Sequence, residues 1–437
     1  MSDLSSKTIR RVSWRVLPLV LFGFFLAYLD RTNVSMAALT MSGDLGFTAT
    51  MFGMGSSIFF LGYILFEVPS NMALQRFGPR IWFGRIMFTW GLFAVGMAFV
   101  WNNYSFYIGR LLLGIAEAGF YPGLMLYFTY WFPTEYRTRM IGILLVGNPL
   151  SAMIGAPLGG LLLQLNGVWG LTGWQWLFIS EGIPTLVLSV IILFFLPERP
   201  AKASWLNSKE RDALERVLER ERAYLATIRT DSIKAVLLNI KIWLLAICYL
   251  GIIIGLYGLG FFLPQIIRAF GGLSNTTVGY LAAIPSLCAV VATIYWPRHS
   301  DQTGERVWHV ASASLVGFVG LAVAAYSGSP AVSLVALSAA SAGIMAALAT
   351  FWSLPTTLLS GSAAGAGIAF INSVAAAGGF FGPNIMGWLK DATGDYRIGL
   401  LVLASSLVVT AAIALFFKPA LSQHMEFGGG SGGMEIG

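Results

Sequence analysis

Residues 307–389 read VWHVASASLVGFVGLAVAAYSGSPAVSLVALSAASAGIMAALATFWSLPTTLLSGSAAGAGIAFINSVAAAGGFFGPNIMGWL, eighty-three consecutive positions without an Asp, Glu, Lys or Arg. A soluble domain draws about 25% of its residues from the charged set and needs them to face water. This stretch has none to offer. It instead contains the apolar runs 307–326, 331–354 and 366–389, each long enough for a bilayer span of about 20 residues. The same reading carried outward places nine more runs at 16–41, 50–73, 86–101, 105–131, 140–165, 174–196, 242–266, 277–296 and 398–417. The third is short and is expected to extend back past Arg85. The whole chain, 57% hydrophobic and 11% charged over 437 residues, fits an all-α polytopic membrane protein with twelve transmembrane helices in two pseudo-symmetric six-helix bundles.

Charge placement gives orientation. With the N-terminus cytoplasmic, inner segments hold 22 Lys and Arg, while the outer ones hold Arg268, Lys390 and Arg397. Arg31 and Arg110 lie inside spans. This excess on one side follows the positive-inside rule and predicts that both termini are cytoplasmic, in a bacterial inner membrane. The net charge of +7 is therefore topological, and no nucleic-acid partner is expected. Lys7, Arg10, Arg11 and Arg15 precede the first run with no small-residue cleavage site after it, so that run is read as a retained helix. Cys248 and Cys288 form no CxxC pair, and the three histidines, His299, His309 and His424, form no HExxH pair. Disulfide frameworks and metal sites are thus not expected.

Residues 198–241 differ, with 17 charged side chains in 44 positions. Glu215/Glu219 and Arg216/Arg220 recur at helical spacing, with Leu214 and Leu218 on one side. This predicts a cytoplasmic amphipathic helix, either a solvated connector or a latch on the inner gate. The expected organisation is a bundle over 1–197, the connector 198–241, a second bundle over 242–417 and a tail over 418–437 that is partly linker-like (Gly428 to Gly433).

The two bundles carry an internal repeat. Gly78 and Gly304, Arg80 and Arg306, and Pro157 and Pro383 are each separated by 226 residues. Repeats of this kind mark transporters that rock two halves about a midplane site. Alternating access is the natural expectation.

Several strings carry a family resemblance: Tyr28-Leu29-Asp30-Arg31-Thr32-Asn33, Phe66-Glu67-Val68-Pro69-Ser70-Asn71, Gly109-Arg110 through Gly114, and Ala116-Glu117-Ala118-Gly119-Phe120-Tyr121-Pro122-Gly123. Trp174 through Pro184 and Asp301-Gln302-Thr303-Gly304-Glu305-Arg306 extend it. Over roughly residues 10–418 the chain resembles the major facilitator superfamily, and within it the anion:cation symporter family, whose members carry tartrate, galactonate, hexuronates, phthalate and 4-hydroxyphenylacetate. The resemblance implies proton-coupled import of an organic carboxylate, with the proton as coupling ion and no other cofactor, by a protein expected to act as a monomer in the lipid bilayer. Gln75 and Asn71 stand where the superfamily usually has Asp and Gly in the loop after span two. Arg76, Arg80, Asp301 and Arg306 match its gating motifs. Gly155-Ala156-Pro157-Leu158-Gly159-Gly160 resembles an antiporter motif of the superfamily, although small residues equally allow close helix packing.

Ionisable groups inside a bilayer are costly and usually functional. The first six spans hold Asp30, Arg31, Glu67, Arg110, Glu117 and Glu181, and the last six hold none. Arg110 and Glu117, seven residues apart, should project from one helix face; the adjacent Asp30 and Arg31 should not. Two acids and two bases compensate to zero, and protonating an acid frees an Arg for a substrate carboxylate. Glu117 and Asp30 are the expected proton carriers. Arg31 and Arg110 are the expected anion-binding groups, because Arg suits bidentate carboxylate pairing. Glu67 and Glu181 are expected to pack or to gate. Tyr28, Tyr63, Tyr257, Trp352, Ser353 and Asn372 are pocket candidates; the resemblance supports Tyr28, Tyr63 and Asn372. Competing readings are an anion exchanger or exporter of the same fold, and a receptor or membrane enzyme, the latter lacking metal ligands or a nucleophile–base pair.

Overall fold

The computed structural model describes residues 5–227, 238–358 and 363–417, and every regular element among them is helical. The predicted tail over 418–437 and part of the connector lie outside the described residues. In chain order the helices are α1 Ser6–Leu45, α2 Ala49–Phe77, α3 Pro79–Gly96, α4 Asn103–Glu117, α5 Phe120–Trp131, α6 Thr134–Leu162, α7 Gly173–Phe195, α8 Ser208–Thr227, α9 Ile240–Arg268, α10 Asn275–Thr303, α11 Val307–Tyr326, α12 Pro330–Phe351, α13 Ser353–Leu358, α14 Ala363–Thr393 and α15 Arg397–Phe416. Among the described residues, twelve helical segments are long and apolar enough to cross a membrane. α1 to α7 form one six-span bundle and α9 to α15 the other.

Two departures from the hydropathy reading have clear causes. α1 starts ten residues before its apolar run, because its first turns are amphipathic. Ile9, Val12 and Val16 are buried while Lys7, Arg10, Arg11 and Arg15 are exposed. The fourth span, expected as one helix over 105–131, is two. α4 ends at Glu117, and the chain turns through Gly119 at φ 83° before α5 begins. A Cβ at Gly119 would sit 2.4 Å from Ser70 Oγ, so this break needs glycine on both conformational and steric grounds. The third span extends back past Arg85 as expected, running over Pro79–Phe99.

The bundles meet along α2 with α14, α6 with α10 and α1 with α9. At the end of the molecule remote from Ser6 and Phe416 they are sealed by small residues. A Cβ at Gly53 would lie 2.5 Å from the Pro383 carbonyl oxygen, and one at Gly279 would lie 2.4 Å from that of Ala156. Gly53 and Gly279 are related by the same 226-residue shift, so the repeat builds the seam twice. Polar contacts reinforce it. Asp391 accepts from the backbone N–H groups of Ala49 (3.1 Å) and Thr50 (2.7 Å), placing an anion from one bundle at a helix N-terminus of the other. Gln164 Nε2 donates to Thr276 Oγ1 at 2.6 Å, and Thr276 Oγ1 donates to the Gly160 carbonyl at 3.1 Å.

At the opposite end α8 lies against the first bundle. Glu210 pairs with Arg11 at 2.8 Å, and Glu221 pairs with Arg137 at 3.2 Å. Leu214 and Leu218 are buried, and Trp205 stacks on Trp131 with ring centroids 5.7 Å apart. The predicted amphipathic helix therefore rides on the N-terminal bundle.

The seam's packing makes a stability prediction. Overfilling a close-packed contact costs about 1–3 kcal/mol. Gly279→Leu and Gly53→Leu should lower stability by that amount in thermal unfolding of the detergent-solubilised protein. Gly328→Leu, where no atom lies within 4 Å of the added Cβ, should not. Equal effects at all three positions would show that the seam is not closely packed.

Candidate functional site

Of the charged residues of the first six spans, Asp30, Arg110 and Glu117 gather around Arg31. Its Nη2 donates to Glu117 Oε1 at 2.5 Å, and its Nη1 donates to the Tyr257 hydroxyl at 3.1 Å. The rings of Tyr28, Phe59 and Tyr63 lie 4.9, 5.1 and 5.5 Å from the guanidinium carbon, a cation–π surround for a charge taken out of water. The Glu117 side chain is 1% exposed and that of Arg31 11%. Glu117 is the last residue of α4, where the helix dipole is negative and disfavours an anion. Its carboxylate thus depends on Arg31 for compensation.

Adjacent residues look in different directions, as the helix requires. Asp30 turns into the bundle and interacts electrostatically with Arg110 and Arg31. Arg110 is fully buried, and among the described residues none of its guanidinium nitrogens makes a hydrogen bond. It lies 4.9 Å from the Phe59 ring, so that one ring serves both guanidinia. Asp30 and Glu117 are the acids that act on it. The structure thus brings the four predicted charges together, with Arg31–Glu117 as the direct ion pair. Glu181, on α7, is buried with both carboxyl oxygens lacking a hydrogen-bond partner, and Asp30 is the charged group that acts on it.

A cavity runs between the bundles, and the Arg31–Tyr257 hydrogen bond divides it into two chambers. Tyr28, Arg31, Asn148 and Tyr257 line both. The chamber toward the sealed end is lined by hydroxyls of Thr32, Ser35, Ser286 and Ser341 among apolar groups. The chamber toward the termini is lined by Tyr63, Glu67, Tyr121, Tyr249, Trp352 and Asn372. Arg31 is the one cation that lines either chamber among the described residues.

Of the predicted pocket residues, Tyr28, Arg31, Tyr63, Tyr257, Trp352 and Asn372 line the cavity. Arg110, Asp30 and Glu117 stand behind its wall, and Arg31 is their contact with it. Ser353 lies outside both chambers, its hydroxyl donating to the Thr350 carbonyl at 2.7 Å. Glu67, expected to pack or gate, sits in the chamber wall, whereas Glu181 does not line the cavity. Arg80 donates through Nε to the Leu193 carbonyl. Arg76 lies 5.6 Å from the Phe77 ring, and Arg306 pairs with Asp301 across the α10–α11 turn. Asn148 and Tyr121 were not anticipated. Asn148 carries the same signal that singled out Asn372, an amide in a membrane helix that needs a partner. Tyr121 directly follows the helix break, which hydropathy does not register.

Residues 20–383 match the Major Facilitator Superfamily. The chain is 47% identical to an Agrobacterium vitis protein named "Putative tartrate transporter", over 97% of this chain and 94% of the relative. It is 37% identical to the quinolone resistance transporter of Acinetobacter baumannii, over 92% of this chain and 93% of the relative. The xylose transporter XylE from E. coli, solved in a partially occluded inward open conformation, has the same fold with a TM-score of 0.72 at 14% identity, covering 93% of this chain and 99% of that one.

The Arg31 contacts predict unequal losses of stability. Tyr257→Phe removes one charge-assisted hydrogen bond, donated by the guanidinium to a phenol, and should cost about 1.5–3 kcal/mol. Glu117→Ala leaves a buried guanidinium without its acid and should cost about 3–5 kcal/mol. Thermal unfolding in detergent measures both; a Glu117→Ala loss no larger than that of Tyr257→Phe would contradict the central ion pair.

Proposed function

The chain belongs to the Major Facilitator Superfamily, and on that premise we propose that it imports an organic carboxylate by proton symport through alternating access. The substrate class is a sugar acid, a tartrate-like acid or an aromatic acid. The observation that carries the reading is the double engagement of Arg31, the cavity's cation, by Glu117 of one bundle and Tyr257 of the other. An entering carboxylate meets a planar guanidinium suited to bidentate pairing and competes with Glu117 for it. A displaced Glu117, buried at a helix C-terminus, would be an unpaired buried charge, which is strongly unfavourable. Taking up a proton removes that cost. When the proton leaves, Glu117 reclaims Arg31 and the substrate is released. Asp30 and Arg110 are the second acid and base behind the site, and Asp30 is the second proton carrier.

Tyr257 ties this exchange to the rocking of the bundles, because any change at Arg31 alters a contact between them. The placement of Lys and Arg supports an inner membrane orientation with both termini cytoplasmic. The sealed seam then faces outward, and the conformation described is closed to the outside. The protein works as a monomer, with the proton as its coupling ion.

Exchange or export by the same fold is the second reading, favoured by the relative named as a quinolone resistance transporter. One experiment separates the two. In proteoliposomes with an imposed pH gradient, the wild type should accumulate a labelled acid from a panel of sugar acids, tartrate and aromatic acids. Glu117→Gln should lose accumulation by about tenfold or more, the effect of about 1.4 kcal/mol of lost driving force, while retaining exchange of the same acid. Gradient-independent exchange by the wild type supports the second reading. Full proton-driven accumulation by Glu117→Gln removes Glu117 as carrier.

A further inference from the structure

Glu67 is a carboxyl in the wall of a chamber whose one lining cation among the described residues, Arg31, pairs with a different acid. Among the described residues it forms no ion pair, and the acid that Arg31 holds is Glu117. The polar groups that act with Glu67 are the hydroxyl-bearing side chains of Tyr63 and Tyr121, which line the same chamber together with Asn148 and Asn372. Among the described residues none of these hydroxyl or amide groups has a hydrogen-bond partner, so they are available to whatever occupies the space. Tyr63 faces the Arg31 guanidinium at 5.5 Å. Glu67 follows four residues later on the same face of α2, about 6 Å further along the helix axis. The chamber is therefore polarised, with a guanidinium at one end and an acceptor-rich carboxyl at the other.

That polarity restricts what can fill it. The acid end of a substrate belongs at Arg31. At the Glu67 end a hydrocarbon tail would strip water from a carboxyl and return no hydrogen bond, leaving a buried polar group unpaired. An unsubstituted aromatic ring would pack against the tyrosines and leave the same deficit. A hydroxyl supplies the O–H donor that the carboxyl lacks, and the phenol and amide groups around it can serve further hydroxyls. Sites built to bond a substrate hydroxyl reject the analogue without it far more strongly than apolar pockets sort by size, because the unpaired site group is the penalty.

We propose that Glu67 is a specificity-determining residue that accepts hydrogen bonds from the hydroxyl groups of the transported acid, so that the site selects hydroxy acids over their deoxy counterparts. This inference rests on the carboxylate-transport reading above.

The test uses pairs of acids that differ only in hydroxyl groups: tartrate and succinate, gluconate and hexanoate, mandelate and phenylacetate. Affinities are measured on the full-length purified protein by calorimetry, and by competition for uptake in proteoliposomes. The wild type should prefer the hydroxy member of at least one pair by tenfold or more. Glu67→Leu should reduce that ratio at least tenfold, mainly by weakening the hydroxy member. Glu67→Gln, which keeps one acceptor oxygen, should fall between, and it carries the test if the Leu variant does not fold. A wild-type ratio retained in both variants overturns the proposal, as does equal affinity within every pair in the wild type. Binding of no acid in any pair would instead sink the carboxylate reading itself, and this inference with it.

Discussion

A single guanidinium in an apolar setting is the constraint on which the structure depends. Arg31 cannot be left without partners away from water, and its two terminal nitrogens are used once each, for Glu117 and for Tyr257. The separation between Arg31 and Tyr257 is the 226 residues that relate the two halves of the chain. The repeat therefore sets equivalent positions of two equivalent helices face to face, one as donor and the other as acceptor. At these equivalent positions the first half carries a charge and the second a neutral phenol. The cavity is consequently asymmetric, and the energetic stakes lie in the first bundle.

The same repeat explains how the far end closes. Gly53 and Gly279 occupy equivalent places, and each admits a backbone carbonyl of the opposite bundle where a side chain would collide. In lipid, helices gain little from hiding apolar surface, so association relies on close van der Waals approach and on hydrogen bonds between bundles. Small residues supply the first and Asp391, Gln164 and Thr276 the second. Such a seam rests on close approach and a few hydrogen bonds, without interlocked large side chains. The connector helix is bound to the first bundle through Glu210 and Glu221 and takes no part in the seam.

Much of this was legible along the chain. Hydropathy located twelve spans, and the confinement of intramembrane charge to Asp30, Arg31, Glu67, Arg110, Glu117 and Glu181 singled out the first half. Tyr28, Tyr63, Tyr257, Trp352 and Asn372 were found as polar or aromatic groups in mid-helix. Three features are not legible there. The break at Gly119 is invisible because apolar residues continue through it, and a hydropathy window does not sense a left-handed turn. Asn148 is a neutral amide in a half whose charges give the stronger signal. That Glu67 lines the chamber depends on the direction of its side chain, which its position near Pro69 does not report.

The number of spans, the bias of positive charge, the internal repeat and the set of charges that the membrane must accommodate are all written along the chain. These follow from transfer free energy along one dimension, which composition reports directly. Which charges pair, which stand behind the cavity and which face it is set by how the helices pack. Arg31 meets a carboxylate 86 residues away and a phenol 226 residues away. Lateral proximity of helices is set by packing between small residues on different spans, a relation that no periodicity within one span encodes.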